Sequence, residues 1–168
     1  NNSVLSISLE SGTGNIDGFT FKNGANISGG GLNASTSGNL TIQNSIFEEN
    51  LSNLDGGGMY LYSSGGGSIL VYNCIIRNNG SNISGGGLSI VGENIQIDRT
   101  IIYNNWAKYG GSAIKCRTPG GGKVINNSLI YHNKVANRGA IMLRSDGYVT
   151  INNSTIANNY SGIYLRES

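Results

Sequence analysis

The stretch IIRNNGSNISGGGL, residues 75–88, holds two elements: an apolar-x-x-Asn run from Ile76 to Asn79, and a glycine triplet closed by an aliphatic residue, Gly85 to Leu88. Both recur along the chain in the same order. Phe47–Asn50 precedes Gly56–Met59, Ile102–Asn105 precedes Gly110–Ile114, and Ile130–Asn133 precedes Gly139–Ile141. A first copy, Phe21–Gly24 with Gly29–Leu32, lacks the Asn in register. A last copy, Ile156–Asn159 with Gly162–Ile163, has a shortened link. The asparagines at 50, 79, 105, 133 and 159 are 29, 26, 28 and 26 residues apart. A fixed period in the range of roughly 20–50 residues identifies a repeat architecture.

Each repeat contains two short apolar alternations and no helical stripe. Leu40/Ile42, Ile69/Val71, Ile95/Ile97 and Val149/Ile151 form the first; Met59/Leu61, Leu88/Ile90, Ile114/Cys116, Ile141/Leu143 and Ile163/Leu165 form the second. Alternation with a period of two is the pattern of half-buried strands. Between them lie Asn, Ser and Gly, with Gly alone supplying 27 of 168 residues, and Gly and Asn tolerate the positive φ of tight turns. The reading is an all-β, single-stranded parallel β-helix of about six coils of 26–29 residues, one domain over residues 1–168. Two columns of stacked side chains follow: an asparagine ladder (50, 79, 105, 133, 159) and a small-residue column of Ser45, Cys74, Thr100, Ser128 and Ser154.

These rungs resemble those of right-handed parallel β-helix surface proteins, among them the chlamydial polymorphic outer-membrane proteins and secreted bacterial and archaeal proteins with Gly-Gly-Gly-Ile-Tyr rungs. The resemblance covers roughly residues 16–165. It implies the right hand, which the general preference for right-handed parallel crossovers also favours, and it implies placement at a cell surface. It does not choose among adhesins, polysaccharide-binding proteins and polysaccharide-cleaving enzymes.

Charged residues make up 12% of the chain with a net charge of +2, too sparse for the Lys/Arg stripe of a nucleic-acid binder. No run approaches the roughly 20 apolar residues that span a bilayer, so this segment is not expected to insert in one. The expected location is extracellular or at the cell surface, and the expected host a prokaryote, because glycans on the sequons at Asn50 and Asn159 would clash with the ladder. Residues 1–14 read as an irregular front cap or, preferably, the chain reads as a piece of a longer protein whose terminal coils invite self-association. Cys74 and Cys116 fall in different columns and read as small core residues rather than a disulfide.

No acid–base pair assembles from the nine acidic residues. Asp98 shares a column with Gln43, Tyr72, Asn126 and Asn152, while Glu48 shares one with Arg77, Tyr103, Tyr131 and Ala157. His132, the only histidine, stands among Glu49, Asn78, Asn104 and Asn158, so no metal or other cofactor is implied. Binding residues are better represented. Outward positions on the strand after the glycines hold Tyr60, Ser89, Lys115, Met142 and Tyr164 in one column, then Tyr62, Val91, Arg117, Arg144 and Arg166 in the next. Tyr60, Tyr62, Lys115, Arg117, Arg144, Tyr164 and Arg166 thus form a basic, aromatic ridge with no acid in its columns, suited to an acidic polysaccharide or a cell-surface glycan. A second cluster is expected around the asparagine turn from Tyr103, Trp106, Tyr109, Tyr131 and His132. The expected function is non-catalytic adhesion or polysaccharide binding. The alternatives are a fragment of a polysaccharide lyase or glycoside hydrolase, and a structural stalk.

Overall fold

A computed structural model describes residues 2–117 and 120–166 in full, and Thr118 by its backbone. The chain winds as a parallel β-helix whose strands stack into four sheets, and no helix occurs among the described residues. Sheet I has seven strands: Leu5–Leu9, Leu32–Thr36, Met59–Ser63, Leu88–Val91, Ile114–Thr118, Ile141–Ser145 and Ile163–Arg166. Sheet II has six: Thr13–Asp17, Asn39–Gln43, Ser68–Tyr72, Asn94–Asp98, Lys123–Asn126 and Val149–Asn152. Sheet III also has six: Thr20–Lys22, Ile46–Glu48, Ile75–Arg77, Ile101–Tyr103, Leu129–Tyr131 and Thr155–Ala157. Sheet IV is a narrow stack of two-residue strands: Ala25–Asn26, Leu51–Ser52, Gly80–Ser81, Trp106–Ala107 and Lys134–Val135. The alternative of an irregular front cap over residues 1–14 is corrected here. Within residues 1–14, Leu5–Leu9 already pairs with Leu32–Thr36 in full register, and Thr13 opens the first strand of sheet II.

Register follows the sequence columns. Leu32, Met59, Leu88, Ile114, Ile141 and Ile163 are successive partners in sheet I, as are Phe47, Ile76, Ile102, Ile130 and Ile156 in sheet III. Leu88, Ile76 and Ile102 are fully buried, each removing about 1.5–3 kcal/mol worth of apolar surface from water. Phe21 stacks on Phe47 with ring centroids 4.7 Å apart and planes 5° from parallel.

The asparagine ladder runs through the buried corner between sheets III and IV. The amide Nδ2 of Asn50, Asn79, Asn105 and Asn133 each donates to Oδ1 of the next asparagine at 3.0 Å. The Oδ1 atoms of all five asparagines accept the backbone N–H of the equivalent residue one coil below, from Gly24 to Asn133. Gly24, the position without an asparagine, therefore uses only its backbone. The small-residue column is a second ladder: Phe19, Cys74, Thr100 and Ser128 donate their N–H groups to Ser45, Thr100, Ser128 and Ser154 oxygens.

Each ladder residue follows one in the left-handed conformation. Asn23, Glu49, Asn78, Asn104, His132 and Asn158 have φ of 59, 57, 55, 54, 53 and 52°, and Asn44, Asn73, Arg99, Asn127 and Asn153 lie between 48 and 52°. Asparagine is the side-chain-bearing residue most at ease there, which accounts for the Asn-rich composition. Gly56 opens its triplet at φ 71°, where a Cβ would stand 2.2 Å from Met59 O.

One inward position departs from the pattern. Lys123 takes the sheet II place held by Ile95 one coil below and is 1% exposed. Burial lowers its pKa, while Cys116 and Asp146 act to raise it. Cys74 and Cys116 are free, buried thiols, pushed up by burial to about 11 and about 12.

Candidate ligand-binding face

The outer side of sheet I carries the two columns expected from alternation. Asn33, Tyr60, Ser89, Lys115, Met142 and Tyr164 are register partners in one; Ser35, Tyr62, Val91, Arg117, Arg144 and Arg166 are partners in the other. The first column is not open to solvent as expected. Ser89 is fully buried and Met142 is 2% exposed, because the turn glycines lie against them: a Cβ on Gly85 would stand 2.8 Å from Ser89 Cβ, and one on Gly110 2.9 Å from Met142 Sδ. Asp55, Ser84 and Gly110 bridge one another in this covering turn. Asp55 Oδ2 reaches Lys115 Nζ at 2.6 Å across two coils. The expectation that no acid offsets the ridge is thus corrected for Lys115. An acid from a turn outside the column neutralises it. Tyr60 is half-buried there, its hydroxyl pKa raised by burial and then by Asp55.

The second column is different. Arg117 and Arg166 are exposed, Arg144 is half-buried, and among the described residues none of the three forms an ion pair. The Nε of Arg144 is buried without a hydrogen-bond partner. Tyr62, 42% exposed, continues the column below Val91. Arg138 joins this face although alternation gave no hint of it. It occupies the first position of the glycine triplet, with φ 54°, and its guanidinium lies 5.8 Å from the centroid of Tyr164.

The second expected cluster is divided by the fold. Tyr103 and Tyr131 stack on sheet III, centroids 5.0 Å apart, and His132 meets Tyr131 edge-on at 5.1 Å. They extend a column of linked charges: Lys22 pairs with Glu48 at 3.2 Å, Arg77 pairs with Glu48 at 2.6 Å, and Arg77 donates to the Tyr103 hydroxyl at 2.9 Å. Trp106 lies on sheet IV against Gly80, where any Cβ would meet the indole at 2.2 Å, and shares a shallow groove with Lys134 and Tyr160. Tyr109 is turned the other way, into a groove with Lys115, Arg138, Met142 and Arg144. Proximity in sequence had grouped residues that the tight turn sends to three faces.

The acids do not converge. Arg77 first, then Lys22, holds the Glu48 carboxyl below its usual range, as suits an ion-pair acceptor rather than a proton donor. Asp17 proves to share the Asp98 column but lies three coils away, accepting from Gln43 and Asn44 at 2.9 and 2.8 Å. Among the described residues, no group of three or more His, Cys, Asp or Glu side chains could hold a metal ion.

The family described as "Right handed beta helix region" matches residues 1–168, the whole chain. The protein belongs to the right-handed β-helix family. Neither a curated protein nor a solved structure matches it. Membership fixes the hand of this β-helix and leaves its ligand to be argued from the side chains on its faces.

Proposed function

We propose that this β-helix is a non-catalytic module of an extracellular or cell-surface protein and holds an acidic polysaccharide on the outer face of sheet I. The observation that carries this reading is the in-register column of Arg117, Arg144 and Arg166, free of ion pairs among the described residues. Stacked strands repeat about every 4.8 Å, so the three guanidinium groups repel one another, and a partner with regularly spaced anionic groups removes that cost. The guanidinium fork matches carboxylates in geometry as well as charge. Tyr62 and Tyr164 add flat surfaces beside them. The similarity of the rungs to those of chlamydial polymorphic outer-membrane proteins supports surface placement.

Affinity electrophoresis tests the reading. Wild type should be retarded in gels containing polygalacturonate or alginate and not in gels containing neutral glucan, and Arg117→Ser/Arg144→Ser should migrate freely in all of them. Equal retardation of both proteins in every gel removes the arginine column as a binding site. New reducing ends or unsaturated products during incubation would instead favour the enzyme reading.

A further inference from the structure

Resting on that reading of sheet I, we infer that the groove between Tyr109 and Arg138 is a subsite for a single carboxylate-bearing pyranose, a uronic acid residue of the bound chain. Ile83, Tyr109, Asn137, Arg138, Met142 and Arg144 line it, and Lys115 closes one end. The groove is open to solvent on one side, and its volume of about 620 Å³ falls within the range of small-ligand sites.

Three independent features set this groove apart. The first is backbone conformation. The equivalent residues in the coils below, Gly29, Gly56, Gly85 and Gly111, have φ of 66, 71, 68 and 59°. A Cβ on Gly111 would stand 2.5 Å from Ile114 O, so the turn is built for glycine. Arg138 holds φ 54° with a full side chain. Other side chains share this φ at the asparagine turns, but among the described residues Arg138 alone holds it in the glycine column, and backbone strain of this kind clusters at ligand sites.

The second feature is the unsatisfied donor. Arg144 Nε is buried with no acceptor, and a buried, charged N–H without a partner is an uncommon state in a folded protein. That nitrogen is closed to solvent, so a carboxylate in the groove meets the terminal nitrogens of the same guanidinium, which has no ion pair among the described residues.

The third is how charge and apolar surface are sorted. Lys115 is already bound to Asp55 at 2.6 Å, so the ligand meets two guanidinium groups, Arg138 and Arg144. Tyr164 lies under the Arg138 guanidinium. Half-buried Ile83 and Tyr109, 43% exposed, supply the apolar and aromatic wall. One apolar ring face plus one carboxylate is the chemistry of a uronic acid, and neither a neutral hexose nor a bare anion satisfies both halves.

The test is calorimetric titration of wild type, Arg138→Gly and Arg117→Ser with trigalacturonate, its carboxyl-reduced neutral counterpart, and a sulfated disaccharide, alongside thermal melts. Arg138→Gly should bind trigalacturonate roughly ten-fold or more weakly, the loss expected for a charged hydrogen bond. It should also melt about 2–4 °C higher, because the turn regains its glycine. A merely structural role for Arg138 does not produce those opposite signs. Wild-type affinity in Arg138→Gly, or a lowered melting temperature, overturns the subsite. If Arg117→Ser still binds weakly in that case, the arginine column stands and only the subsite falls. If neither variant differs from wild type, both fall. Tighter binding of the sulfated disaccharide than of trigalacturonate overturns the carboxylate assignment.

Discussion

Replacing Asn105 by alanine removes the middle rung of the asparagine ladder, and the structure allows the damage to be itemised. Its Nδ2 donates to Ile76 O, Tyr103 O and Asn133 Oδ1, all at 3.0 Å. Its Oδ1 accepts both the backbone N–H and the Nδ2 of Asn79, again at 3.0 Å. Alanine leaves the Asn79 N–H buried without its acceptor and leaves the Ile76 carbonyl short of a donor. One orphaned buried donor costs about 1–3 kcal/mol, and the cavity and remaining lost bonds bring the expected total to about 3–5 kcal/mol. A domain stable by about 5–15 kcal/mol loses a large share of its margin. Asn104, its immediate neighbour, serves as the control. It is a left-handed residue at φ 54° outside the ladder, so Asn104→Gly should be neutral or slightly stabilising. Urea unfolding followed by circular dichroism measures both. An Asn105→Ala midpoint within about 1 kcal/mol of wild type would refute the claim that the ladder holds the coils together.

Leu88→Asp and Ile102→Asp place an unpaired carboxylate at fully buried positions, so neither variant should fold; a wild-type thermal transition in both would contradict the register. Cys74 and Cys116 ionise near 9.0 when unfolded and near 11 and 12 when folded, so each binds its proton more tightly in the folded state. Their contribution is complete below pH 9 and is lost as pH rises toward 11–12. Between pH 8 and 10.5 the melting temperature of wild type should fall more steeply than that of Cys74→Ser/Cys116→Ala; parallel curves would argue against buried thiols.

The fold was legible because a β-helix writes its cross-section into the sequence once per coil. Ile76, Ile102 and Ile130 recur at the coil period because they stack directly on one another, and Asn79, Asn105 and Asn133 because an amide bonds best to an identical amide above it. What did not repeat was hard to read. Lys123 sits where its neighbours are Ile95 and Val149, and an alternation search passes over a lysine. The Asp55–Lys115 pair joins residues two coils apart, between a turn and a strand, so column reasoning could not find it. Met142 and Ser89 face outward by alternation yet are buried, since alternation gives direction but not what covers that direction. Arg138 did leave a trace: it stands where the lower coils place the first glycine of the triplet. A non-glycine in a glycine column is the signal to seek in other chains of this type.

The proposed site places an acidic glycan along the outer face of sheet I. A crystal structure of the protein soaked with trigalacturonate tests it most directly. Carboxylates within hydrogen-bonding distance of the Arg117 and Arg144 guanidinium groups, with one sugar ring between Tyr109 and Arg138, is the result expected. Sugar density confined to another face, such as the groove of Trp106 and Tyr160 on sheet IV, or no density at a saturating concentration, would contradict it.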